Sequence, residues 1–267
     1  EVGGWQKGTH PDIPDGSRVW KAELDYAPRG LWMVDADNVT RVKLARTPNW
    51  TESDPDNVMG EWWEWENPRW WTGEHKVKIG NNQQHLGIDT KNLTRDADYY
   101  EGAYVWSEWG VVMGTPYASK IQNYYPDQRA VDVGGPWWHD TGQLRRGHRY
   151  YLEDKPHYLD EAGEFWFEKT GKGGTLYVRL PDDRSPEEVT VEAARRMDII
   201  RLGDIGHVQI SGLGFRFNNV HWDLSHRDWE HEDVRSSAIR MIGNGDALQV
   251  NHCVFEHVMM PIRIEIG

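Results

Sequence analysis

The sequence consists of short runs in which apolar and polar residues alternate, and Gly, Pro, Asn or Asp interrupts these runs every few residues. Examples are RVKLAR (41–46), EFWFEK (164–169), TLYVRL (175–180) and DIIRLGD (198–204). A period of two is typical of a strand with one buried face. The best helical candidate, SPEEVTVEAARRMD (185–198), has a Val-Thr-Val centre that favours a strand. The pattern therefore predicts an all-β protein.

The pattern of strands changes near residue 187. Before it, aromatic-rich runs with uneven spacing are typical of an antiparallel sandwich or barrel, and FWFEKTGKGGTLYVRL (165–180) predicts a hairpin with a Gly-rich turn. After it, the runs become short and are led by Ile and Val. We therefore divide the chain into a lead-in (1–19), an antiparallel domain (20–186) and a second β unit (187–267).

The second unit contains an internal repeat. HVQISGLGF (207–215) matches ALQVNHCVF (247–255), and the IRM that starts at position 239 matches the IRI that starts at position 262. The distance along the chain between IRM and IRI is in the low twenties of residues. A repeat of short strands with that spacing is typical of a β-solenoid, in which each turn stacks on the last. The longer interval then holds one turn plus an insertion at 218–237.

The last residues, PIRIEIG (261–267), form an apolar run that a solenoid would bury only against a further turn. A terminal turn exposes an unpaired strand edge. We therefore expect either that the natural chain continues beyond this segment or that another chain contacts the open end.

Composition excludes some classes of partner. The formal net charge of −13 argues against nucleic acid as a partner. The sequence contains no stretch of about 18 apolar residues, so no membrane span is predicted. Tryptophan is abundant, with 16 Trp against 5 Phe. Trp rings suit stacking on sugar rings, and they also suit the cores of large β-domains, so both uses stay open.

One segment resembles a known group of proteins. RYYLEDKPHYLDEAGEFWFEKTGKGGTLYVRLPDD (149–183) is similar to a phrase in bacterial right-handed parallel β-helix carbohydrate-active proteins that carry an inserted barrel-like β-domain. The matching positions are Tyr150–Glu153, Leu159–Asp160, Ala162–Phe167 and Thr175–Val178, with Ala162 where the family has Pro. The resemblance implies a right-handed parallel β-helix with an inserted antiparallel sandwich or barrel. In that architecture residues 20–186 are the inserted domain and residues 1–19 could form an edge of the β-helix. It also implies relatives among glycoside hydrolases.

The insertion contains the strongest cluster of chemically capable side chains. HWDLSHRDWEHED (221–233) holds three His, two Trp and five carboxylates. Because glycoside cleavage needs two carboxyl groups, we expect Asp228 or Glu232 to face Asp246. We expect Trp222 and Trp229 to form a sugar platform and His226 to bind a hydroxyl. The alternative is a solvated surface loop without a function.

The sequence therefore predicts an extracellular or periplasmic glycoside hydrolase that acts on a plant, algal or host polysaccharide or oligosaccharide. One alternative is a polysaccharide lyase on the same fold, which would bring a requirement for Ca²⁺. Another is a non-catalytic glycan-binding or surface-assembly protein. The spacing of the His and Asp residues matches no metal motif, so neither a metal nor a cofactor is predicted for the hydrolase.

Overall fold

The computed structural model describes residues 1–67, 86–109, 116–133, 144–220 and 235–265. In chain order the elements are β1 (Gln6–Lys7), β2 (Trp20–Leu24), β3 (Leu31–Asp35), β4 (Asn38–Leu44), β5 (Arg46–Thr47), β6 (Trp63–Glu64), β7 (Leu86–Ile88), α1 (Ala97–Tyr100), β8 (Tyr104–Glu108), β9 (Pro116–Tyr125), β10 (Ala130–Val133), β11 (Arg149–Glu153), β12 (Glu164–Thr170), β13 (Gly173–Arg179), β14 (Thr190–Ala193), β15 (Ile200–Gly203), β16 (Gln209–Ser211), β17 (Gly214–Arg216), β18 (Ile239–Ile242), β19 (Gln249–Asn251), β20 (Val254–Glu256) and β21 (Ile262–Glu265). In the described part of the chain, no helix is long and apolar enough to cross a bilayer.

The first sheet has seven strands in the order β1-β2-β13-β12-β4-β3-β14. Its centre is the hairpin of β12 and β13, which pair from Glu164 opposite Arg179 to Thr170 opposite Gly173. The predicted hairpin is therefore confirmed. Alternation along these strands places Leu31, Phe165 and Val178 in one apolar core. Strands that lie far apart in the sequence, from β1 to β14, thus meet in this sheet.

The second sheet has seven strands, with β5-β11-β8-β9-β10-β7 in order and β6 paired to β11. Its core contains a parallel ring stack of Trp65 on Tyr150, with centroids 3.5 Å apart and planes 3° apart. The Tyr150 hydroxyl donates to Asp89 at 2.7 Å, and the Trp65 Nε1–H donates to Ser107 at 2.9 Å. Buried rings thus carry their own hydrogen-bond partners into the core.

The remaining strands pair in parallel. β15, β18 and β21 form one sheet, and β16 with β19 and β17 with β20 form two more. Gln209 lies opposite Gln249 and Ile239 opposite Ile262, so both repeat spacings are confirmed as the strand register. An apolar cluster contains the stacked rings of Phe215 and Phe255, 5.0 Å apart, together with Ile200, Ile210, Ile239 and Val250.

The predicted fold class is nevertheless wrong. A right-handed parallel β-helix with an inserted domain was expected, but two seven-stranded sheets with mainly antiparallel pairing hold most of the strands. The parallel strands form separate sheets of only three, two and two strands. A solenoid requires at least three stacked repeats, and the described residues supply fewer complete ones. The structure is an all-β protein with mixed and antiparallel sheets.

The buried residue Asn219 links the first sheet to the segment before the parallel strands through hydrogen bonds. Asn219 accepts a hydrogen bond from the backbone N–H of Arg29 at 2.8 Å and donates to the carbonyl of Ala27 at 3.2 Å. Its own backbone N–H donates to the carbonyl of Arg196 at 2.8 Å. One side chain therefore satisfies two backbone groups of a segment near the start of the chain.

The neighbouring asparagine joins the same place to the last strands. Asn218 donates to the carbonyl of Met197 at 3.0 Å and accepts from the backbone N–H of Met259 at 2.7 Å. Both asparagines are only 3% exposed. Since buried backbone groups without partners are costly, this pair fixes how the first sheet and the parallel strands meet.

We expect Asn219→Ala to lower the free energy of unfolding by about 2 kcal/mol or more, because it leaves a buried N–H and a buried C=O without partners. Chemical denaturation measures the change. The matched control is Asn49→Ala, which removes an exposed hydrogen bond to Asp160 and should change stability by less than about 0.5 kcal/mol. Equal effects of the two substitutions would contradict the assigned role of Asn219.

Candidate functional site

A cavity of about 410 Å³ opens where the two large sheets and the C-terminal strands meet. This volume lies within the range of small-ligand sites. The first sheet and the loop before it contribute Arg29, Gly30, Trp32, Arg41 and Leu44, and the second sheet with its flanking loop contributes Arg46, Trp50, Glu52, Trp106, Tyr151 and Glu153. The C-terminal part contributes Asn218, Val220, His257, Val258 and Met259. Asn218, one of the two buried asparagines, thus lines the cavity.

One wall of the cavity is an aromatic cluster. Tyr151 packs edge to face against Trp50 at 5.4 Å and against Trp62 at 4.6 Å between ring centroids. Trp106 lies parallel to Tyr151, with an interplanar angle of 3° and centroids 6.3 Å apart. Rings held in this way offer rigid apolar surface, which is the property that sugar stacking requires.

The opposite wall is built around Trp32 on β3. Its ring packs against Phe217 at 4.5 Å and lies 6.3 Å from His257, so residues from distant parts of the chain hold it. Gly30 also lines the cavity, and a β-carbon at this position would lie 2.4 Å from the Trp32 ring. The absence of a side chain at Gly30 allows the indole to occupy its place.

Three indole N–H groups in these walls have no hydrogen-bond partner among the described residues. They belong to Trp32, Trp50 and Trp62, and their Nε1 atoms are buried. Buried donors are normally satisfied, so these three indoles are exceptions to the usual pattern. Because their Nε1 atoms have almost no accessible surface, they lie inside the walls and not on the open face of the cavity.

Glu153 is the carboxylate most firmly held in the cavity. It ends β11, is 8% exposed, and accepts hydrogen bonds from the Trp106 Nε1–H at 2.7 Å and from the Tyr151 hydroxyl at 3.4 Å. These two donors fix its orientation. An oriented carboxylate accepts hydrogen bonds from hydroxyl groups, which are the groups that a saccharide presents.

Arg46 lies opposite Glu153 in the pairing of β5 with β11. Its guanidinium carbon lies 4.8 Å from the Trp50 ring centroid and 5.4 Å from the Tyr151 ring centroid. Two aromatic rings therefore hold the cation by cation–π contacts. Within the described residues, no carboxylate lies within ion-pair distance of Arg46.

Glu164 lies behind Arg46, where its Oε1 accepts the Arg46 backbone N–H at 3.2 Å. Burial raises the pKa of Glu164 to about 8, although the charge of Arg46 acts to lower it. Burial likewise raises the pKa of Asp154 to about 6, against the opposing charge of Arg29. At neutral pH the Glu164 carboxyl is therefore mainly uncharged.

The structure describes only one of the predicted catalytic residues. Asp246 has a side chain that is 83% exposed, lies 4.0 Å from His207 and does not line the cavity. Asp228 and Glu232, with the predicted binding residues Trp222, His226 and Trp229, lie outside the described residues. Val220, directly before that segment in sequence, does line the cavity. The predicted catalytic pair and sugar platform stay predictions.

Arg46 and Glu153 were missed because both were interpreted as parts of strands. Arg46 and Glu153 end the runs KLAR and YYLE, in which consecutive residues are buried. The signal available in the sequence was a charged residue at the end of a mainly apolar run. Such a residue is rarely buried without a partner, so it indicates a candidate site. In the described ranges, no group of three His, Cys, Asp or Glu residues could hold a metal ion.

Comparisons with known proteins gave one match. No family model matches the chain, and no curated protein matches it. One solved structure, described as "Glycoside hydrolase", matches with a TM-score of 0.62 and 12% sequence identity over 96% of this chain and 47% of the other. This chain therefore spans about half the length of that protein. At this identity the match shows a shared fold.

The raised pKa of Glu164 predicts a pH dependence of stability. Between the ordinary pKa of 4.5 and about 8, the folded protein keeps a proton that the unfolded chain releases, so stability falls as pH rises through this window. The slope for one such group is at most about 1.4 kcal/mol per pH unit. We expect Glu164→Gln to remove this slope.

Denaturant titrations of both proteins between pH 5 and pH 8 measure the slope. Glu187→Gln, at an exposed position, is the control and should keep the wild-type pH profile. Parallel profiles for wild type and Glu164→Gln would show that Glu164 is ionised in the folded protein.

Proposed function

We propose that this chain is part of a glycoside hydrolase and that the cavity at the junction of its sheets binds a saccharide. The observation that carries the proposal is the combination of rigid aromatic walls with oriented polar groups in one cavity of ligand size. The shared fold with a structure described as "Glycoside hydrolase" supports the same class of activity.

In this proposal the cavity residues recognise the sugar. The half-buried ring of Trp106 offers stacking surface to the apolar face of a pyranose, and Trp32 supports the other side of the cavity from within the core. Glu153 accepts hydrogen bonds from the hydroxyl groups of the sugar. Such a mixture of flat apolar surface and fixed polar atoms gives both affinity and orientation.

Cleavage needs a carboxylic acid that protonates the leaving oxygen and a carboxylate that acts as base or nucleophile. We keep Asp228 and Glu232, with Asp246, as the proposed source of these groups. Glu153 is assigned to binding because both its oxygens already accept hydrogen bonds from fixed donors. An extracellular or periplasmic location is part of the proposal, since polysaccharides are found there.

We expect Trp106→Ala to weaken saccharide binding by about tenfold or more, because it removes a stacking face and releases Glu153. Isothermal titration of the full-length natural protein with an oligosaccharide found by glycan screening measures the change. Trp20→Ala is the control, since Trp20 is half-buried on the first sheet and does not line the cavity. Unchanged affinity in Trp106→Ala would place the binding site elsewhere.

The catalytic assignment has a separate test. We expect Asp228→Asn and Glu232→Gln in the full-length protein to abolish hydrolysis while binding and melting temperature stay nearly unchanged. Product analysis by chromatography measures hydrolysis. Full activity of both variants would assign the catalytic pair to other residues. Binding without any hydrolysis by the wild-type protein would instead support a glycan-binding module.

A further inference from the structure

We propose that the saccharide carries an anionic group, a uronic-acid carboxylate or a sulfate ester, and that Arg46 and Arg41 recognise this group. The inference rests on the proposed function, since it names the chemical class of ligand for the same cavity. It starts from the local charge. The chain carries a net charge of −13, yet three Arg and two Glu line the cavity.

Arg46 is the central observation. Its side chain is buried, with 6% of its surface exposed, and within the described residues its guanidinium makes one hydrogen bond, from Nε to the carbonyl of Leu44 at 3.4 Å. A buried cation without a counterion is costly. Because that one hydrogen bond is made by Nε, the two terminal nitrogens of Arg46 have unused donor capacity at the wall of the cavity.

The acidic residues near Arg46 do not supply the missing partner. Glu153 is oriented by its hydrogen bonds from Trp106 and Tyr151, and within the described residues its carboxylate forms no ion pair with the Arg46 guanidinium. Glu164 is mainly protonated at neutral pH and makes its contact with the Arg46 backbone. An anion brought by the ligand would complete the coordination that these residues leave open.

The geometry around Arg46 also suits an anion. The Trp50 and Tyr151 rings contact the guanidinium through cation–π interactions and restrict its orientation. A restricted guanidinium presents parallel N–H donors in its own plane, which match the two oxygens of a carboxylate or sulfate. Such an arrangement binds an oxyanion with little loss of side-chain freedom.

A second arginine reinforces the first. Arg41 on β4 lines the cavity from an exposed position, and no carboxylate of the described residues lies within ion-pair distance of it. Arg29 differs, because it lies 3.6 Å from Asp154 and over the ring of Tyr104. We therefore assign anion recognition to Arg46 and Arg41 and leave Arg29 in a structural role.

The test compares charged and neutralised forms of the same sugars. Isothermal titration of the full-length protein uses oligogalacturonate against its methyl ester, and sulfated carrageenan oligosaccharide against its desulfated form. We expect one acidic member to bind at least about tenfold tighter than its neutral counterpart, with an affinity that falls as salt is added. A preference for oligogalacturonate over its methyl ester would identify the anion as a carboxylate. A preference for the sulfated carrageenan oligosaccharide over its desulfated form would identify it as a sulfate.

Substitutions then locate the preference. We expect Arg46→Met to reduce the acidic-over-neutral ratio towards one, and Arg46→Lys to restore part of it, since Lys keeps the charge without the planar donors. Arg41→Gln is a second test at an exposed position that should not disturb folding. Arg195→Gln is the control, because Arg195 forms an exposed ion pair with Asp25 away from the cavity.

The outcomes separate this inference from the proposed function. Equal affinity for charged and neutral sugars, with Trp106→Ala still weakening both, would overturn anion recognition and leave saccharide binding intact. A preference for acidic sugars that persists in Arg46→Met and Arg41→Gln would also overturn it. Failure of every sugar to bind would overturn both proposals.

Discussion

The arrangement of the molecule depends on the two consecutive buried asparagines at 218 and 219. Between them they bind backbone groups of Ala27, Arg29, Met197 and Met259, which lie far apart in the sequence. Each amide side chain uses both a donor and an acceptor, so neither can be replaced by an apolar residue without leaving buried groups unpaired. The cavity exists because this junction holds the first sheet against the C-terminal strands.

The cavity itself shows why charged residues are tolerated inside a β-protein. Arg46 is held by aromatic rings, Glu153 by an indole and a phenol, and Glu164 by giving up its charge. In each case a different interaction lowers the free-energy cost of burying the charged group. What they leave unused is the in-plane donor capacity of the Arg46 guanidinium, whose one hydrogen bond within the described residues goes to the carbonyl of Leu44, and this group is assigned to the ligand.

The parallel strands show the limit of inference from repeats. The two repeat spacings correctly predicted which residues lie opposite each other, because parallel strands with the same pattern bury the same face. The repeat did not predict the fold class, since most strands pair within the two large sheets. A local repeat predicts which strands pair with each other. It does not predict how much of the molecule has the repeated architecture.

The sequence by itself determined the all-β class, the hairpin at 164–179 and the register of the C-terminal strands, because alternation, turn residues and repeat spacing are local properties. Only the tertiary structure decided that Arg46 lies opposite Glu153, that Trp32 contacts Phe217, and that Arg46, Glu153 and Trp32 line one cavity. These contacts join residues that are far apart in the sequence. Their pairing depends on sheet order and on buried hydrogen bonds between distant segments, which no local pattern encodes.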